Sequence, residues 1–304
     1  MGVKVSIIGV GRVGGMLAYL LVSHKKIDEI VLIDKIQPRV DGTILDVSHA
    51  YPEYSSKLKA GNYEDVKNSK VIIITAGLPR APGTGTRMDL LDANKAILKE
   101  IIDSIKVSKD TVVLILTNPV EPLVYFAYKL LQGKLDKKQV IGFSNILDSA
   151  RLKFILSKIT NVNPNKVEGL VIGEHGENMI PAFSVCKING KPLADLDLEM
   201  IKDELKNSSI KLIEYLGGTQ FGPSRHLENL VNAILNDTGE VFPVSFYIES
   251  DDNYKLSDVC ISVPAAIGSD GVKYIKKINL NKEEESSFLK LAGQLKKIQG
   301  GMGV

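Results

Sequence analysis

The stretch VKVSIIGVGRVG, residues 3–14, constrains the fold of this chain more than any other feature. A run rich in β-branched residues leads directly into Gly9, Gly11 and Gly14, spaced GxGxxG, and Asp34 closes the next apolar run. A strand, a glycine turn, a helix and an acidic residue about 20 positions further on form a dinucleotide-binding fingerprint. The glycines let backbone N–H groups approach a pyrophosphate at a helix N-terminus, and the carboxylate accepts ribose hydroxyls. Glycines can also end a strand for purely structural reasons, but the order of the surrounding elements favours binding.

The first half of the chain alternates short apolar runs with helix-like segments. Strands are predicted at 3–10, 29–34, 70–76, 111–117 and 139–144. These runs show little polar alternation, and strands that are apolar on both faces belong to a parallel sheet covered by helices. Helices are predicted at 13–24, 38–50 and 88–107. The alternation indicates an α/β fold, a Rossmann doubly wound parallel sheet with right-handed crossovers.

The second half has a different pattern, in which strands turn back on one another. Helices are predicted at 146–159, 196–216, 225–236 and 282–299. Strands are predicted at 167–176, at 183–193 with a turn at Asn189–Gly190, and at 242–249, 257–268 and 271–278. We therefore expect a dinucleotide-binding domain, 1–144, followed by an α+β substrate and catalytic domain with antiparallel strands, 145–304. The last residues, GGMGV, are expected to fray.

Composition narrows the range of functions. The net charge of +2 gives no field that would gather nucleic acid or a membrane surface. Cys186 and Cys260 lie far apart and form no CxxC motif, which favours a reducing compartment. None of the four histidines has metal-site spacing, so no metal site is predicted. No apolar run reaches the roughly 18 residues of a membrane span, and we expect a cytoplasmic protein.

Two motifs in the second half are suited to moving a proton. GEHGE, 173–177, places His175 in a glycine-flanked turn, and LDSAR, 147–151, places Asp148 and Arg151 on one helix face. A carboxylate bonded to one ring nitrogen fixes the tautomer and stabilises the imidazolium, and an arginine can clamp a substrate carboxylate. Each motif by itself is also compatible with a structural histidine or an ordinary helical salt bridge.

Asn118 follows the predicted strand 111–117 in the motif LTNPVEP. Its amide can donate to a substrate oxygen and accept from another amide, and ligands bind at the carboxyl ends of strands in such folds. An ordinary turn asparagine is the alternative interpretation.

The stretch GLPRAPGTGTR, 77–87, cannot be a helix or an inner strand, because proline lacks the N–H group and glycine disfavours regular structure. It carries two permanent positive charges, Arg80 and Arg87. The sequence predicts a flexible arm that brings both arginines to an anion.

Together these motifs resemble the lactate/malate dehydrogenase family. GVGRVG, Asp34, AGLPR, TNPVE, LDSAR and GEHGE occur in the family's order and approximate spacing, and SVPAAIGSDGV, 262–272, looks like its C-terminal strand pair. The likeness covers residues 3 to about 299. It implies an enzyme that transfers a hydride between a nicotinamide cofactor and a 2-hydroxy acid.

The resemblance implies a role for each matching residue. His175 is the acid/base and Asp148 is its partner, while Arg151 binds the carboxylate next to the reacting carbon. Arg87 polarises the substrate carbonyl from a closing loop. Asn118 bonds at the substrate oxygen, and a cis peptide bond is implied between it and Pro119.

The predicted cofactor site surrounds the first strand end and its neighbours. It comprises Gly9, Gly11, Arg12, Val13, Gly14, Asp34, Ala76, Gly77, Asn94 and Asn118. Because the Asp34 carboxylate would repel a 2′-phosphate, NAD is predicted over NADP. Lys35, next to it, leaves NADP open.

In this family, the residue three positions after the AG of the arm discriminates between substrates. Lactate dehydrogenases usually carry glutamine there and malate dehydrogenases arginine, and in this chain the position holds Arg80. A buried arginine opposite the methyl group of pyruvate would have no partner, which is costly. The resemblance therefore implies a small dicarboxylate substrate and a malate dehydrogenase of the tricarboxylic acid cycle.

Three other functions remain open. The chain could be an L-lactate or other 2-hydroxyacid dehydrogenase, or a non-catalytic NAD-binding protein. An NAD-dependent glycosidase is disfavoured, because neither cysteine lies beside a histidine to hold the metal of that family. Members of the resembled family are dimers or tetramers, and we expect a homotetramer.

Two segments depart from the family pattern. The arm is one residue longer at 83–86, and 217–224 is one residue shorter, so Thr219 and Gln220 cannot be assigned positions in the pocket.

Overall fold

The structure is a computed structural model that describes residues 2–79 and 87–304, apart from the side chain of Arg87. Arg80, predicted to select the substrate, lies outside the described residues. The backbone of Arg87 begins a 3-10 helix, Arg87–Leu90. The structure thus tests the predicted site without its two arm arginines.

The described part of the chain forms fourteen strands and eight α-helices. The strands are β1 (Val3–Ile8), β2 (Ile27–Ile33), β3 (Leu58–Ala60), β4 (Val71–Ile74), β5 (Val112–Ile115), β6 (Val140–Gly142), β7 (Val167–Glu168), β8 (Val171–Ile172), β9 (Ile180–Pro181), β10 (Lys187–Ile188), β11 (Lys191–Pro192), β12 (Glu240–Asp251), β13 (Leu256–Gly268) and β14 (Gly271–Ile275). The helices are α1 (Arg12–Leu21), α2 (Gln37–Ala50), α3 (Leu91–Ser104), α4 (Val120–Leu131), α5 (Ile146–Thr160), α6 (Leu198–Leu216), α7 (Phe221–Asn236) and α8 (Lys282–Gly300).

One nine-stranded sheet runs through the molecule, in the order β14-β13-β12-β6-β5-β4-β1-β2-β3. The six strands from β3 to β6 pair in parallel. Their order, β3-β2-β1-β4-β5-β6, is that of the doubly wound dinucleotide-binding sheet. The predicted Rossmann architecture is confirmed.

Alternate residues of the central strands pack into different hydrophobic cores. In β4, Ile73 lies in a core shared with α1, α7 and the C-terminal strands. Its neighbours Ile72 and Ile74 lie in a second core, which α3 and α4 cover. Because both faces of the sheet are buried, the strand sequences are continuously apolar.

The C-terminal strands extend this sheet. The long antiparallel pair β12 and β13 joins it where Ser245 pairs with Gly142 of β6. The predicted division at 144/145 falls between β6 and α5 and remains a prediction, since the strands on its two sides belong to one sheet. A third core, formed by α5, α6 and the short strands β7 and β8, lies beside it.

Helix α4 was not predicted from the sequence. Ten of its twelve residues are buried, including Glu121. Its sequence is almost continuously apolar, and such a run does not by itself distinguish a buried helix from a buried strand.

Other differences come from glycine and from tertiary contacts. The predicted strand 167–176 is divided into β7 and β8 at residues 169–170, and β8 ends just before Gly173, whose φ is +96°. The turn at Asn189–Gly190 is confirmed, with φ of 52° and 76°. The C-terminal tail was wrongly expected to fray: Met302 is 4% exposed, and Lys95 Nζ donates to its carbonyl at 2.5 Å.

The burial of α4 gives a stability prediction. Phe126 is 2% exposed on α4 and Phe154 is 58% exposed on α5. We expect Phe126→Ala to lower the free energy of unfolding by about 3–5 kcal/mol, because it leaves a cavity, and Phe154→Ala to change it by less than about 1 kcal/mol. Urea unfolding followed by circular dichroism measures both. Equal losses would contradict the buried placement of α4.

Candidate active site

The glycine turn after β1 is shaped by contacts that exclude larger residues. Gly9 has a φ of +100°, and a Cβ there would lie 2.4 Å from the backbone nitrogen of Ala76. A Cβ on Gly14 would lie 2.0 Å from the carbonyl oxygen of Gly9. These two glycines let β1, β4 and the start of α1 come together.

Gly11 has a different role in the same turn. It is the N-cap residue of α1, with φ of −80° and no side-chain cap, and a Cβ there would have no atom within 4 Å. The N–H groups of the first helical turn have no partners within the helix, and they attract anions. The open space at Gly11 therefore fits a pyrophosphate held at the start of α1.

Asp34 connects the glycine turn to the start of α2. Its Oδ2 accepts from the N–H of Val10 at 2.8 Å, and its Oδ1 accepts from the N–H of Ile36 at 2.9 Å. Arg39 Nη1 lies 3.4 Å from Oδ2. Each carboxylate oxygen keeps further acceptor capacity for a ribose hydroxyl. Arg39 was missed in the sequence analysis because it lies on α2, outside the fingerprint spacing.

A second turn, after β4 and β5, is held by Asn94. Its Oδ1 accepts from Leu78 N at 2.7 Å, and its Nδ2 donates to Asn118 O at 2.7 Å and Leu78 O at 3.2 Å. Both amide hydrogens of Asn94 are used inside the protein. Only the second lone pair of its Oδ1 could therefore accept a hydrogen bond from the cofactor. Gly77 allows this approach, since a Cβ there would meet Thr117 Cγ2 at 2.5 Å.

Asn118 precedes the cis peptide bond to Pro119 that the family resemblance implied. Its Oδ1 is buried and has no hydrogen-bond partner among the described residues. A buried polar atom without a partner is costly. A ligand amide or hydroxyl in the cleft would satisfy it.

His175, Asp148 and Arg151 form one hydrogen-bonded group. Asp148 is 2% exposed; its Oδ2 lies 2.6 Å from His175 Nδ1, and its Oδ1 lies 3.1 Å from Arg151 Nη1. An ionised carboxylate only accepts hydrogen bonds, so Nδ1 carries the proton and Nε2 is directed to other partners. The side chains of His175 and Arg151 are both 12% exposed.

Buried polar groups surround this trio. Asn145 Nδ2 donates to Asp148 Oδ2 at 3.1 Å and to the carbonyl of Glu174 at 3.0 Å. The N–H of His175 donates to Glu121 Oε2 at 3.1 Å. Asn145 and Glu121 were not among the predicted site residues. Glu121 lies in the motif TNPVE, but nothing in that motif indicates that its carboxylate meets the backbone of His175.

A cleft of about 500 Å³ connects the glycine turn to His175 and Arg151. The predicted residues that line it are Gly11, Arg12, Val13, Gly77, Asn118, Arg151 and His175. The other predicted residues that the structure describes in full do not line the cleft but support it through their contacts with neighbouring residues: Gly9, Gly14, Asp34, Ala76, Asn94 and Asp148. Lining residues that the sequence did not single out include Thr75, Leu116, Phe143, Leu147, Ser209, Ile213 and Pro223. Their apolar or neutral side chains give no chemical signal in a single sequence.

The shortened segment 217–224 can now be assigned. Gly217 ends α6 with a φ of 68°. Thr219 lines the cleft. Gln220 is the N-cap residue of α7, and it lines a neighbouring cavity between α1 and α2. Thr219 and Gln220 therefore face different cavities.

Two family models together match almost the whole chain. The model described as lactate/malate dehydrogenase, NAD binding domain, matches residues 3–142, and the model described as lactate/malate dehydrogenase, alpha/beta C-terminal domain, matches residues 145–301. The chain belongs to the lactate/malate dehydrogenase family. As a member of this family it is an NAD-dependent oxidoreductase, and the residues around Gly11 fit that cofactor.

Individual relatives within the lactate/malate dehydrogenase family carry both names. The chain is 34% identical to the L-lactate dehydrogenase of Halalkalibacterium halodurans, over 99% of this chain and 98% of the relative. It superposes on the malate dehydrogenase of Cryptosporidium parvum with a TM-score of 0.91 at 30% identity, covering 99% and 98% of the two chains. It superposes on the minor L-lactate dehydrogenase of Enterococcus mundtii with a TM-score of 0.89 at 27% identity, covering 100% and 99%.

The described residues show neither a metal site nor a membrane-spanning helix. No group of three or more His, Cys, Asp or Glu side chains in the described part of the chain is placed to hold a metal ion. Within the same residues, no helix is long and apolar enough to cross a membrane.

The open space at Gly11, at the start of α1, gives a prediction for cofactor binding. Gly11→Ala is compatible with the observed φ but would place a methyl group where the pyrophosphate binds, so we expect the Kd for NADH to rise about tenfold or more. Gly293→Ala on α8 is the matched control, because a Cβ there also has no atom within 4 Å. NADH fluorescence titration measures both. An unchanged Kd in Gly11→Ala would exclude the open space at Gly11 as the site of the cofactor pyrophosphate.

Proposed function

We propose that this protein oxidises a short 2-hydroxy acid to the 2-oxo acid with NAD, and catalyses the reverse reduction. The observation that carries the proposal is that His175, bonded to the buried Asp148 at 2.6 Å, lines the same cleft as the glycine turn. Bound NAD supplies the hydride acceptor. The protein supplies the proton transfer and the orientation of the acid.

In this proposal His175 moves the proton through Nε2. Its Nδ1–H group donates to Asp148, which orients the ring and stabilises the imidazolium that forms when Nε2 takes the hydroxyl proton. Oxidation needs neutral His175 and reduction needs the charged form. Oxidation should therefore fall as pH decreases and reduction should fall as pH increases.

Arg151 binds the carboxylate next to the reacting carbon in this proposal. A guanidinium has five donors in a planar fork, which matches a carboxylate. Arg151 lines the cleft beside His175, and Asp148 holds it in place at 3.1 Å. Asn118, whose Oδ1 lacks a partner among the described residues, is assigned to the substrate and nicotinamide end of the cleft.

For the substrate we propose malate and oxaloacetate, on the basis of Arg80. A second carboxylate on the substrate would pair with this guanidinium, whereas the methyl group of pyruvate would not. Arg87 is proposed to polarise the carbonyl from the closing arm. These assignments concern the arm, and they rest on sequence and family resemblance.

L-lactate is the second candidate substrate, and the names of the curated relatives favour it. The Halalkalibacterium halodurans protein and L-lactate dehydrogenase 1 of Staphylococcus aureus are 34% and 37% identical to this chain and bear lactate names. Overall identity reports the shared fold, whereas the choice between the acids depends on a few side chains at the site. Parallel assays with oxaloacetate and pyruvate decide between the two candidates.

We also propose a cytoplasmic homo-oligomer, with a tetramer favoured over a dimer. Support comes from large apolar side chains on the surface where α6 meets α7. Tyr215, Leu216 and Phe221 are 76%, 51% and 61% exposed. Association with a second copy would bury them. Analytical ultracentrifugation measures the assembly.

The role of His175 gives the first activity prediction. His175→Asn removes the group that exchanges the proton, and we expect kcat for 2-oxo acid reduction to fall by about 10²–10⁴-fold while NADH binding is retained. Stopped-flow reduction and NADH titration test the two expectations. Activity close to that of the unmodified protein would refute the proposed chemistry.

The proposed role of Arg80 gives the second activity prediction. We expect Arg80→Gln to lower the ratio of kcat/KM for oxaloacetate to kcat/KM for pyruvate by about 100-fold, corresponding to about 3 kcal/mol for loss of a charge-assisted pair. Arg225→Gln is the control, because Arg225 is paired with Glu228 on the surface of α7. An unchanged ratio in Arg80→Gln, or a pyruvate preference in the unmodified protein, would favour the L-lactate candidate.

A further inference from the structure

Glu121 is a buried acid for which the proposed chemistry has no use. It is the second residue of α4, and its side chain is 0% exposed. Its Oε2 accepts from the backbone N–H of His175 at 3.1 Å, and its Oε1 accepts from the hydroxyl of Ser144. One carboxylate thus bonds to two separate segments of the catalytic region.

Those two segments are the ones that carry the catalytic pair. Ser144 precedes Asn145, whose amide donates to Asp148 Oδ2 at 3.1 Å and to the Glu174 carbonyl at 3.0 Å. The backbone bond from His175 therefore closes a ring of hydrogen bonds that runs through α4, the start of α5 and the 173–177 turn. The position of His175 relative to Asp148 depends on this ring.

The electrostatics of Glu121 are unusual for a carboxylate. Burial raises the pKa of Glu121 to about 7, and the negative charge of Glu174 adds to this rise. The hydrogen bonds from Ser144 and from the backbone N–H of His175 oppose it. Among the described residues, the buried thiol of Cys260 on β13 also lies near it, and Ser144 and Asn145 connect it to Asp148 and His175. A buried negative charge is stabilised by a nearby positive charge. Protonated His175 supplies one.

We propose that Glu121 is a positioning residue that holds the backbone of His175 and that, in its ionised form, favours the protonated imidazole. The importance of this for catalysis rests on the proposed role of His175. The charge acts through His175, and Glu121 itself does not line the cleft. The reduction direction, which needs the charged ring, benefits from it.

Glu121→Gln separates the charge from the geometry. The amide oxygen can accept from the N–H of His175, and the amide nitrogen can donate to Ser144 Oγ. Ser144 can then turn its own hydrogen to Asn145 Oδ1, which lies 3.3 Å away. The hydrogen-bond ring is kept and only the negative charge is removed.

The test is a titration of the histidines by NMR in the full-length protein without substrate. The chain has four histidines, and His175 is assigned by the loss of its signal in His175→Asn. We expect Glu121→Gln to lower the pKa of His175 by about one unit, while His24, His49 and His226 titrate as before. The measurement does not depend on turnover, so it separates this inference from the proposed function.

Glu284 provides a matched control. It is also a buried carboxylate, 8% exposed, and it accepts from the backbone N–H and the hydroxyl of Ser184, away from the cleft. Glu284→Gln should leave the pKa of His175 unchanged. An unchanged pKa in Glu121→Gln, or an equal fall in both variants, would overturn the inference.

Ser144→Ala serves if Glu121→Gln does not fold. This variant keeps the carboxyl group but removes a hydrogen bond that favours its charged form, so Glu121 is ionised less at neutral pH. We expect the pKa of His175 to fall in Ser144→Ala, by less than about one unit. No change in Ser144→Ala would overturn the inference in that case.

Discussion

The parallel pairing of β1 with β4 is the constraint on which the rest of the site depends. At this pair the connections leave the sheet in opposite directions, so a crevice opens beyond the strand ends. Gly9 and Ala76 meet at the base of the crevice, where no Cβ on Gly9 can be accommodated. The start of α1 faces this crevice, and the turns after β4 and β5 bring Gly77 and Asn118 to it. Replacing the close glycine contact would move all of these elements apart.

The opposite end of the cleft depends on buried charge. Asp148, Glu121 and Glu174 are nearly or fully excluded from solvent, and Arg151 and His175 are the basic groups bonded to Asp148. Charges in such a place persist when each has hydrogen bonds and an opposite charge nearby. The same arrangement makes the protonation of His175 responsive to its neighbours, which a proton-transferring residue requires.

Membership of the lactate/malate dehydrogenase family explains the shared sheet and the NAD-binding domain, and it leaves the choice of acid to local chemistry. Relatives with lactate and malate names superpose on the chain with TM-scores of 0.89 and 0.91, a difference too small to distinguish the two activities. The side chain that reaches the variable end of the substrate decides between them.

The Rossmann sheet and the glycine turn with Asp34 could be predicted from local spacing in the sequence. The roles proposed for His175, Asp148, Arg151 and Asn118 needed the family resemblance as well, because each of their motifs also fits a structural role. Helix α4 and the contacts of Asn145 and Glu121 emerged only from the tertiary structure. An almost continuously apolar run does not by itself distinguish a buried helix from a buried strand, and no spacing in the sequence shows that these two residues meet the catalytic pair. The joining of β12 to β6 was also beyond the sequence, since strand order depends on long-range pairing. Local patterns specify which groups a chain offers, whereas packing decides which of them meet in a buried place.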